Sequence, residues 1–79
     1  MKIIKSYQVP EGNISPDIFK LPCVNGAIKH DEFGIIYRLY DSVTVENFLA
    51  IPTDWICKYA DDRWDVMTDE QYKQFTKRE

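Results

Sequence analysis

The chain has 79 residues, which is enough for one domain, but a domain of this size buries only about 60% of its unfolded surface and has little room for a deep site beside its core. Its composition, 44% hydrophobic and 14% aromatic, excludes a disordered chain, and no stretch approaches the roughly 20 apolar residues that span a bilayer. The formal net charge is −3, and the basic residues do not cluster among aromatics as direct nucleic-acid binding requires. The N-terminus has no apolar run of signal-peptide length, so we expect a cytoplasmic protein with no membrane partner.

The first quarter of the chain predicts an edge strand, a turn and a short helix. Residues 2–9 are rich in β-branched and aromatic side chains and predict the strand, and residues 10–13 predict the turn. Ser15 followed by Pro16 is typical of a helix start. A further proline limits this helix to about one turn over residues 17–21.

Turn and strand signals alternate through the middle of the chain. Asn25 and Gly26 predict the turn of a small hairpin, because both residue types accept a positive φ. A second turn is predicted over residues 31–34, and residues 35–40 give the strongest strand signal in the sequence. Period-two alternation predicts another strand over residues 43–48, which should pair antiparallel with the preceding one.

The last third predicts a hairpin. A proline-marked turn over residues 50–54 leads to a strand over residues 55–59, an acidic tip at residues 60–63, and a strand over residues 64–67. Each of the two strands begins with a tryptophan that we expect in the core.

A capped helix should follow the hairpin. Thr68 and Gln71 match the reciprocal capping box, and Tyr72 and Phe75 share one face that should pack on the sheet. The elements together predict an α+β fold, with a small antiparallel β-sheet or partly closed barrel of four or five strands and a short C-terminal helix.

Few residues suit catalysis or metal binding. Cys23 and Cys57 are expected as buried thiols, and a disulfide between them is the alternative. Zinc needs four close ligands, and these cysteines with His30 supply three without a typical spacing. His30 lies in a charged turn and the sequence has no phosphate-binding glycine loop. We therefore expect no catalytic residue, no metal and no cofactor, although a pairing of Cys57 with His30 stays open.

Charge is unevenly distributed along the chain. Residues 31–70 contain ten acidic and three basic residues, a net charge of −7, whereas the flanks contain three acidic and seven basic residues, a net charge of +4. Acidic turns explain such a pattern without a function, because Asp is common in turns. The functional explanation is an acidic surface that competes for a basic, nucleic-acid-binding site on another protein.

The candidate partner-binding residues are the six acids of the last third and two tyrosines of the central strand. The tyrosines are included because they fall on opposite faces of that strand, so at least one should meet a second layer or a partner. The complete set is Asp54, Asp61, Asp62, Asp65, Asp69, Glu70, Tyr37 and Tyr40.

Residues 43–75 resemble the C-terminal part of small phage and prophage proteins. In that group a Pro-Gly-Asp-Trp-Ile turn leads into two strands and a short helix that bears an aromatic residue. The matching residues here are Pro52-Thr53-Asp54-Trp55-Ile56, Trp64 and Thr68-Asp69-Glu70-Gln71-Tyr72. Thr53 stands where the group has glycine, so the turn is expected to need a different backbone conformation. The function of the group is undefined, and the resemblance implies an accessory protein of a bacterial virus.

The sequence therefore predicts a non-enzymatic accessory protein that binds and modulates or inhibits a host protein. An inhibitor of a host defence or nucleic-acid-processing complex is the most concrete form of this prediction. Two alternatives stay open. A protein that binds or sequesters a nucleotide should have a pocket lined by Trp, Tyr and a few basic groups. A minor virion or assembly component should form a symmetric oligomer.

Overall fold

The computed structural model describes residues 2–77, which form six strands and two helices. In chain order these are β1 (Ile3–Gln8), α1 (Pro16–Phe19), β2 (Val24–His30), β3 (Gly34–Asp41), β4 (Glu46–Ala50), β5 (Trp55–Tyr59), β6 (Trp64–Met67) and α2 (Asp69–Lys77). The strands form two antiparallel sheets, which we call sheet 1 (β1-β5-β6) and sheet 2 (β2-β3-β4). Within residues 2–77, neither helix has the length and apolar character that crossing a membrane requires.

The predicted α+β class is confirmed, and two details of the prediction are wrong. The described residues form six strands rather than four or five, and the strands divide into two separate sheets instead of closing into a barrel. The physical reason is the long-range pairing of β1 with β5, which removes β1 from the sheet that β2, β3 and β4 form.

The two sheets and α2 stack in three layers, with sheet 1 in the middle. Ile56 of β5 faces sheet 2 and belongs to the same core as Tyr37 and Leu39. Cys57 and Tyr59 lie in a second core with the aromatic residues of α2, because successive residues of a strand alternate between its two faces. Sheet 1 is therefore covered on both faces.

Helix α1 begins as its sequence predicts. Ser15 is extended and its hydroxyl accepts a hydrogen bond from the Ile18 N–H at 3.5 Å, while Pro16 occupies the first helical position. Ile18 is buried in the core between the sheets. The Ser15 N–H also donates to the Tyr37 hydroxyl at 2.7 Å, which fixes the start of α1 against β3.

The hairpin turn predicted at Asn25 and Gly26 is wrong. Both residues lie inside β2, and a register shift between Val24 and Gly26 is the only irregularity described in the pairing of β2 with β3. Gly26 does not use its freedom to adopt a positive φ. Pairing along β3 therefore overrides the local turn signal.

The strand predicted over residues 43–48 starts late, at Glu46. Residues 42–45 form a turn, because the Asp41 carboxylate accepts hydrogen bonds from the Val43 N–H and the Thr44 hydroxyl. Local side-chain bonds of this kind compete with strand pairing. The antiparallel pairing of the two predicted strands is nevertheless confirmed, since β3 pairs with β4.

The capped C-terminal helix is confirmed. The Gln71 N–H donates to the Thr68 hydroxyl at 3.1 Å, and the Gln71 side-chain oxygen accepts from the Thr68 N–H at 3.0 Å. Tyr72 stacks on Trp55 with ring centroids 3.9 Å apart and an interplanar angle of 8°. Phe75 packs against the core that contains Cys57 and Tyr59. The shared face of Tyr72 and Phe75 therefore joins α2 to sheet 1.

Thr53 adopts a backbone conformation that favours glycine. Its φ is 75°, and its N–H donates to the Val9 carbonyl oxygen at 2.9 Å, so the turn before β5 pairs with the end of β1. Those turn contacts leave Thr53 in the left-handed region despite its branched Cβ.

Replacing Thr53 with glycine is expected to raise the free energy of unfolding by about 0.5–1 kcal/mol. The left-handed conformation costs an L-residue roughly 1–2 kcal/mol, and the greater freedom of glycine in the unfolded chain offsets roughly half of that gain. Urea denaturation would measure the difference. Thr53→Ala, which keeps a Cβ, is the control, and equal stability of the glycine and alanine variants would contradict the prediction.

Candidate functional site

The six candidate acids do not form one surface. One group lies at or next to the tip of the β5–β6 hairpin: Asp61, Asp62 and Asp65. The other lies where the hairpin opens: Asp54, Asp69 and Glu70. Four cross-strand pairs, which at about 3.3 Å per residue extend over roughly 13 Å, lie between the open end and Asp61 and Asp62 at the tip, and Asp65 lies within the third pair, opposite Cys57.

Two of the three acids at the open end of the hairpin, Asp54 and Asp69, make contacts that stabilise the fold, and Glu70 is exposed. Asp54 accepts a hydrogen bond from the Ile51 N–H at 3.2 Å, and burial raises the pKa of its carboxyl although that bond opposes the rise. Asp69 accepts from the Trp55 indole N–H at 2.9 Å and pairs with Lys73 at 2.9 Å. The indole bond first, and Lys73 second, hold the pKa of Asp69 below its ordinary value.

Two acids of the tip group, Asp61 and Asp62, are paired with bases of the same hairpin, whereas Asp65 has no ion pair within residues 2–77. Asp61 lies 2.9 Å from the Arg63 Nε and also accepts from the Arg63 N–H at 3.3 Å. Asp62 lies 3.5 Å from the Lys58 Nζ. The tip therefore has little uncompensated charge of its own.

A cleft of about 130 Å³ lies where the β5–β6 hairpin meets the turn between β3 and β4. We call it the acidic cleft, and its lining residues are Asp41, Thr44, Glu46, Phe48, Tyr59, Arg63, Trp64 and Asp65. Sheet 2 contributes the carboxylates of Asp41 and Glu46, and sheet 1 contributes that of Asp65. None of these three carboxylates has an ion-pair partner among residues 2–77.

Asp41 forms the base of the acidic cleft and is 1% exposed. Its carboxylate oxygens accept from the Val43 N–H at 3.2 Å and the Thr44 hydroxyl at 2.6 Å. Burial alone would raise the pKa of Asp41, but the Thr44 hydroxyl and the backbone N–H groups of Val43, Trp64 and Thr44 outweigh burial and lower it. Asp41 is therefore ionised, and through Trp64 it connects the turn of sheet 2 to sheet 1.

Aromatic side chains form the walls of the cleft. The Tyr59 hydroxyl donates to Asp65 at 3.0 Å, and burial followed by this bond raises the pKa of Tyr59 to about 12. The Arg63 guanidinium carbon lies 5.1 Å from the centre of the Tyr59 ring. The Lys58 Nζ lies 5.7 Å from the centre of the Trp64 ring. Both rings therefore already attract cations of the chain itself.

The two candidate tyrosines lie on opposite faces of β3, as their spacing predicts. Tyr37 is fully buried in the core, so it cannot contact a partner and is removed from the candidate surface. Tyr40 is 39% exposed on the opposite face of sheet 2, with Ile28 at 48% and Leu49 at 60%. This outer face of sheet 2 also contains two polar residues, Arg38 opposite Leu49 and Asn47 opposite Tyr40.

The cysteines are free thiols, so the alternative of a disulfide is not realised. Cys23 and Cys57 lie in different cores, and burial raises the pKa of each to about 12. The reactive thiolate is therefore scarce at neutral pH. His30 is the exposed last residue of β2, where its Nδ1 accepts from the Glu32 N–H of the following turn at 3.1 Å.

The sequence prediction missed two acids of the cleft, Asp41 and Glu46. A signal for Asp41 existed, because it continues the inward-facing positions of Tyr37 and Leu39 and is followed by Thr44 at the spacing of a side-chain turn. For Glu46 no such signal existed, since its position in the cleft depends on where the turn ends.

No family model matches the sequence, and neither the curated proteins nor the solved structures gave a match. The class that the structure defines is a small α+β protein of two stacked antiparallel sheets, with an aromatic-walled acidic cleft at one end.

Proposed function

We propose that this protein is a non-enzymatic phage or prophage accessory protein that binds a basic surface of a host protein and modulates or inhibits it. The main observation behind the proposal is that three carboxylates from the two sheets, those of Asp41, Glu46 and Asp65, line the acidic cleft without ion-pair partners among residues 2–77. A cationic partner would compensate this charge and be steered towards it. The resemblance of residues 43–75 to phage proteins supports the viral origin.

The most concrete form of the proposal is an inhibitor of a host defence or nucleic-acid-processing complex. Proteins of this kind present basic surfaces to phosphates, and an acidic surface can occupy such a surface in place of the nucleic acid. The same carboxylates would repel nucleic acid itself, which supports a protein partner over direct nucleic-acid binding.

The arrangement of the thiols and the histidine supports a binding role. Cys23 and Cys57 are buried with raised pKa values, and His30 is exposed at the end of β2, where its Nδ1 accepts a hydrogen bond from the Glu32 N–H. A nucleophile needs a lowered pKa or an adjacent base, and neither thiol has this environment.

The cleft also supports a protein partner over a nucleotide. A nucleotide phosphate would meet the carboxylates of Asp41, Glu46 and Asp65, and the lining base, Arg63, already donates to Asp61. This environment favours cations and disfavours phosphate.

The outer face of sheet 2 favours a second candidate function, that of an assembly component. Ile28, Tyr40 and Leu49 expose large apolar areas on one side of the sheet, and a second copy of the chain would bury them symmetrically. Light scattering over a range of concentrations tests this candidate. A dimer that Leu49→Lys dissociates would support it, and a monomer at every concentration would contradict it.

A pull-down from nuclease-treated bacterial lysate tests the docking function. At about 50 mM salt we expect the protein to retain a basic or nucleic-acid-associated partner, which about 500 mM salt should release because screening weakens exposed charge pairs. Glu46→Lys, at the cleft, should reduce retention. Glu32→Lys, in the exposed turn between β2 and β3, is the matched control. Absence of any such partner at low salt, or equal retention by both variants, would contradict the proposal.

A further inference from the structure

We infer that the acidic cleft accepts a single cationic side chain of the partner, an arginine or a lysine. This inference rests on the proposed docking function and specifies the group that the partner inserts. The cleft volume of about 130 Å³ is that of roughly four water molecules, a space that suits the end of one side chain rather than a peptide segment.

The carboxylates of the cleft have capacity for further donors. Glu46 is exposed, and its carboxylate has no hydrogen-bond or ion-pair partner among residues 2–77. Asp65 accepts one bond at each oxygen, from the Tyr59 hydroxyl at 3.0 Å and the Val66 N–H at 2.8 Å. Each carboxylate oxygen can accept two bonds, so an entering ammonium or guanidinium group finds acceptors on both sides of the cleft.

The aromatic walls provide the second, independent indication of a cation. Trp64 and Tyr59 each have a cationic group of the chain within about 6 Å of the ring centre, the range of cation–π attraction. Lys58 at Trp64 and Arg63 at Tyr59 are examples of the cation–π contact that a partner's cation would make with these rings. Arg63 donates to Asp61 from this position and forms part of the wall.

The spacing of the carboxylates selects an organic cation over a metal ion. Within residues 2–77, no three carboxylate, thiol or imidazole side chains lie close enough together to hold a metal. A metal ion needs its oxygen ligands at about 2.0–2.6 Å from a single point. An ammonium has three N–H donors and a guanidinium has five, and these donors can reach carboxylates that stand further apart.

Titration of the ¹⁵N-labelled protein with capped tripeptides, followed by NMR, tests the inference. The probes are acetyl-Gly-Arg-Gly-amide, its lysine counterpart, and its citrulline counterpart, which has nearly the shape of arginine without the charge. We expect the arginine or lysine peptide to shift the Trp64 indole signal and the Thr44 amide signal, while the Trp55 indole signal stays unchanged. The stronger of the two responses identifies the preferred cation.

Two variants, each of which removes one negative charge, test whether the basic peptide binds at the cleft. Glu46→Gln should weaken binding of the basic peptide about two- to fivefold, the range for one exposed charge pair. Glu32→Gln, in the exposed turn between β2 and β3, should leave the binding unchanged. Citrulline binding as strongly as arginine, or equal binding by the two variants, would overturn the inference.

The outcomes separate the cleft from the docking function. Suppose that the wild-type protein retains a lysate partner that high salt releases, that Glu46→Lys fails to retain it, and that the basic peptides give no NMR response. This result would overturn the cleft inference and leave the docking function standing. If the wild-type protein retains no partner and also gives no response to the peptides, both the docking function and the cleft inference would be overturned.

Discussion

Replacing Asp41 with alanine is expected to lower the free energy of unfolding by about 3 kcal/mol. The carboxylate is 1% exposed and accepts from the Thr44 hydroxyl and from backbone N–H groups that include those of Val43 and Trp64. Alanine would remove these hydrogen bonds, and a hydrogen bond to a charged group contributes about 1.5–3 kcal/mol. Stability of roughly 0.05–0.15 kcal/mol per residue is typical, so the loss would be a large fraction of the total. Urea denaturation followed by tryptophan fluorescence measures it.

The pH dependence of the free energy of unfolding, compared between wild type and Asp41→Asn, isolates the contribution of the Asp41 charge. The pKa of Asp41 is lowered in the folded protein, so its ionisation contributes stability that is fully present above the ordinary value of 3.8 and is lost as pH falls through the folded pKa. The asparagine variant lacks this contribution. The stability difference between wild type and variant should therefore narrow below about pH 4. The raised pKa of Asp54 acts in the opposite direction, but it is common to both proteins and cancels in the difference. A difference that stays constant between about pH 7 and pH 3 would contradict the prediction.

The hairpin and helix of the last third were predictable because their signals are local and agree with one another. Thr68 and Gln71 specify the start of α2 within four residues, and the acidic tip separates two strands that pair with each other. The division into two sheets has no such local signal. It depends on Ser6 pairing opposite Cys57, about fifty residues away, which neither propensity nor periodicity reports.

The candidate site was only partly predictable for a related reason. The sequence shows that the last third is rich in acids, but strand length places Asp69 and Asp62 at opposite ends of the hairpin. The cleft itself depends on Asp41 and Glu46, which come from the other sheet. Period-two alternation over residues 43–48 indicated a strand where hydrogen bonds to Asp41 form a turn, and that turn is one side of the cleft.

Trp55 joins sheet 1 to the first turn of α2. Its ring stacks on Tyr72 at 3.9 Å, and its indole N–H donates to Asp69 at 2.9 Å, so it contacts the first turn of the helix at two points. The Tyr72 hydroxyl in turn lies 2.7 Å from the Ser6 hydroxyl of β1. No residue of α2 is fully buried, and a helix of nine residues is marginal without packing.

Replacing Trp55 with alanine is therefore expected to lower the free energy of unfolding by about 3 kcal/mol and to release α2 before the rest of the fold. Loss of a core tryptophan costs about 3–5 kcal/mol, and the half-buried position of Trp55 favours the lower value. Trp55→Phe keeps an aromatic ring over Tyr72 and removes only the hydrogen bond to Asp69, so its loss should be smaller. Amide hydrogen exchange measures the release of α2. In the alanine variant the amides of α2 should exchange by local opening, faster than global unfolding allows, whereas the amides of β3 should still exchange only at the rate that global unfolding sets. If amide exchange accelerates equally in α2 and β3, the helix unfolds only together with the sheets. This result would contradict the predicted early release of α2.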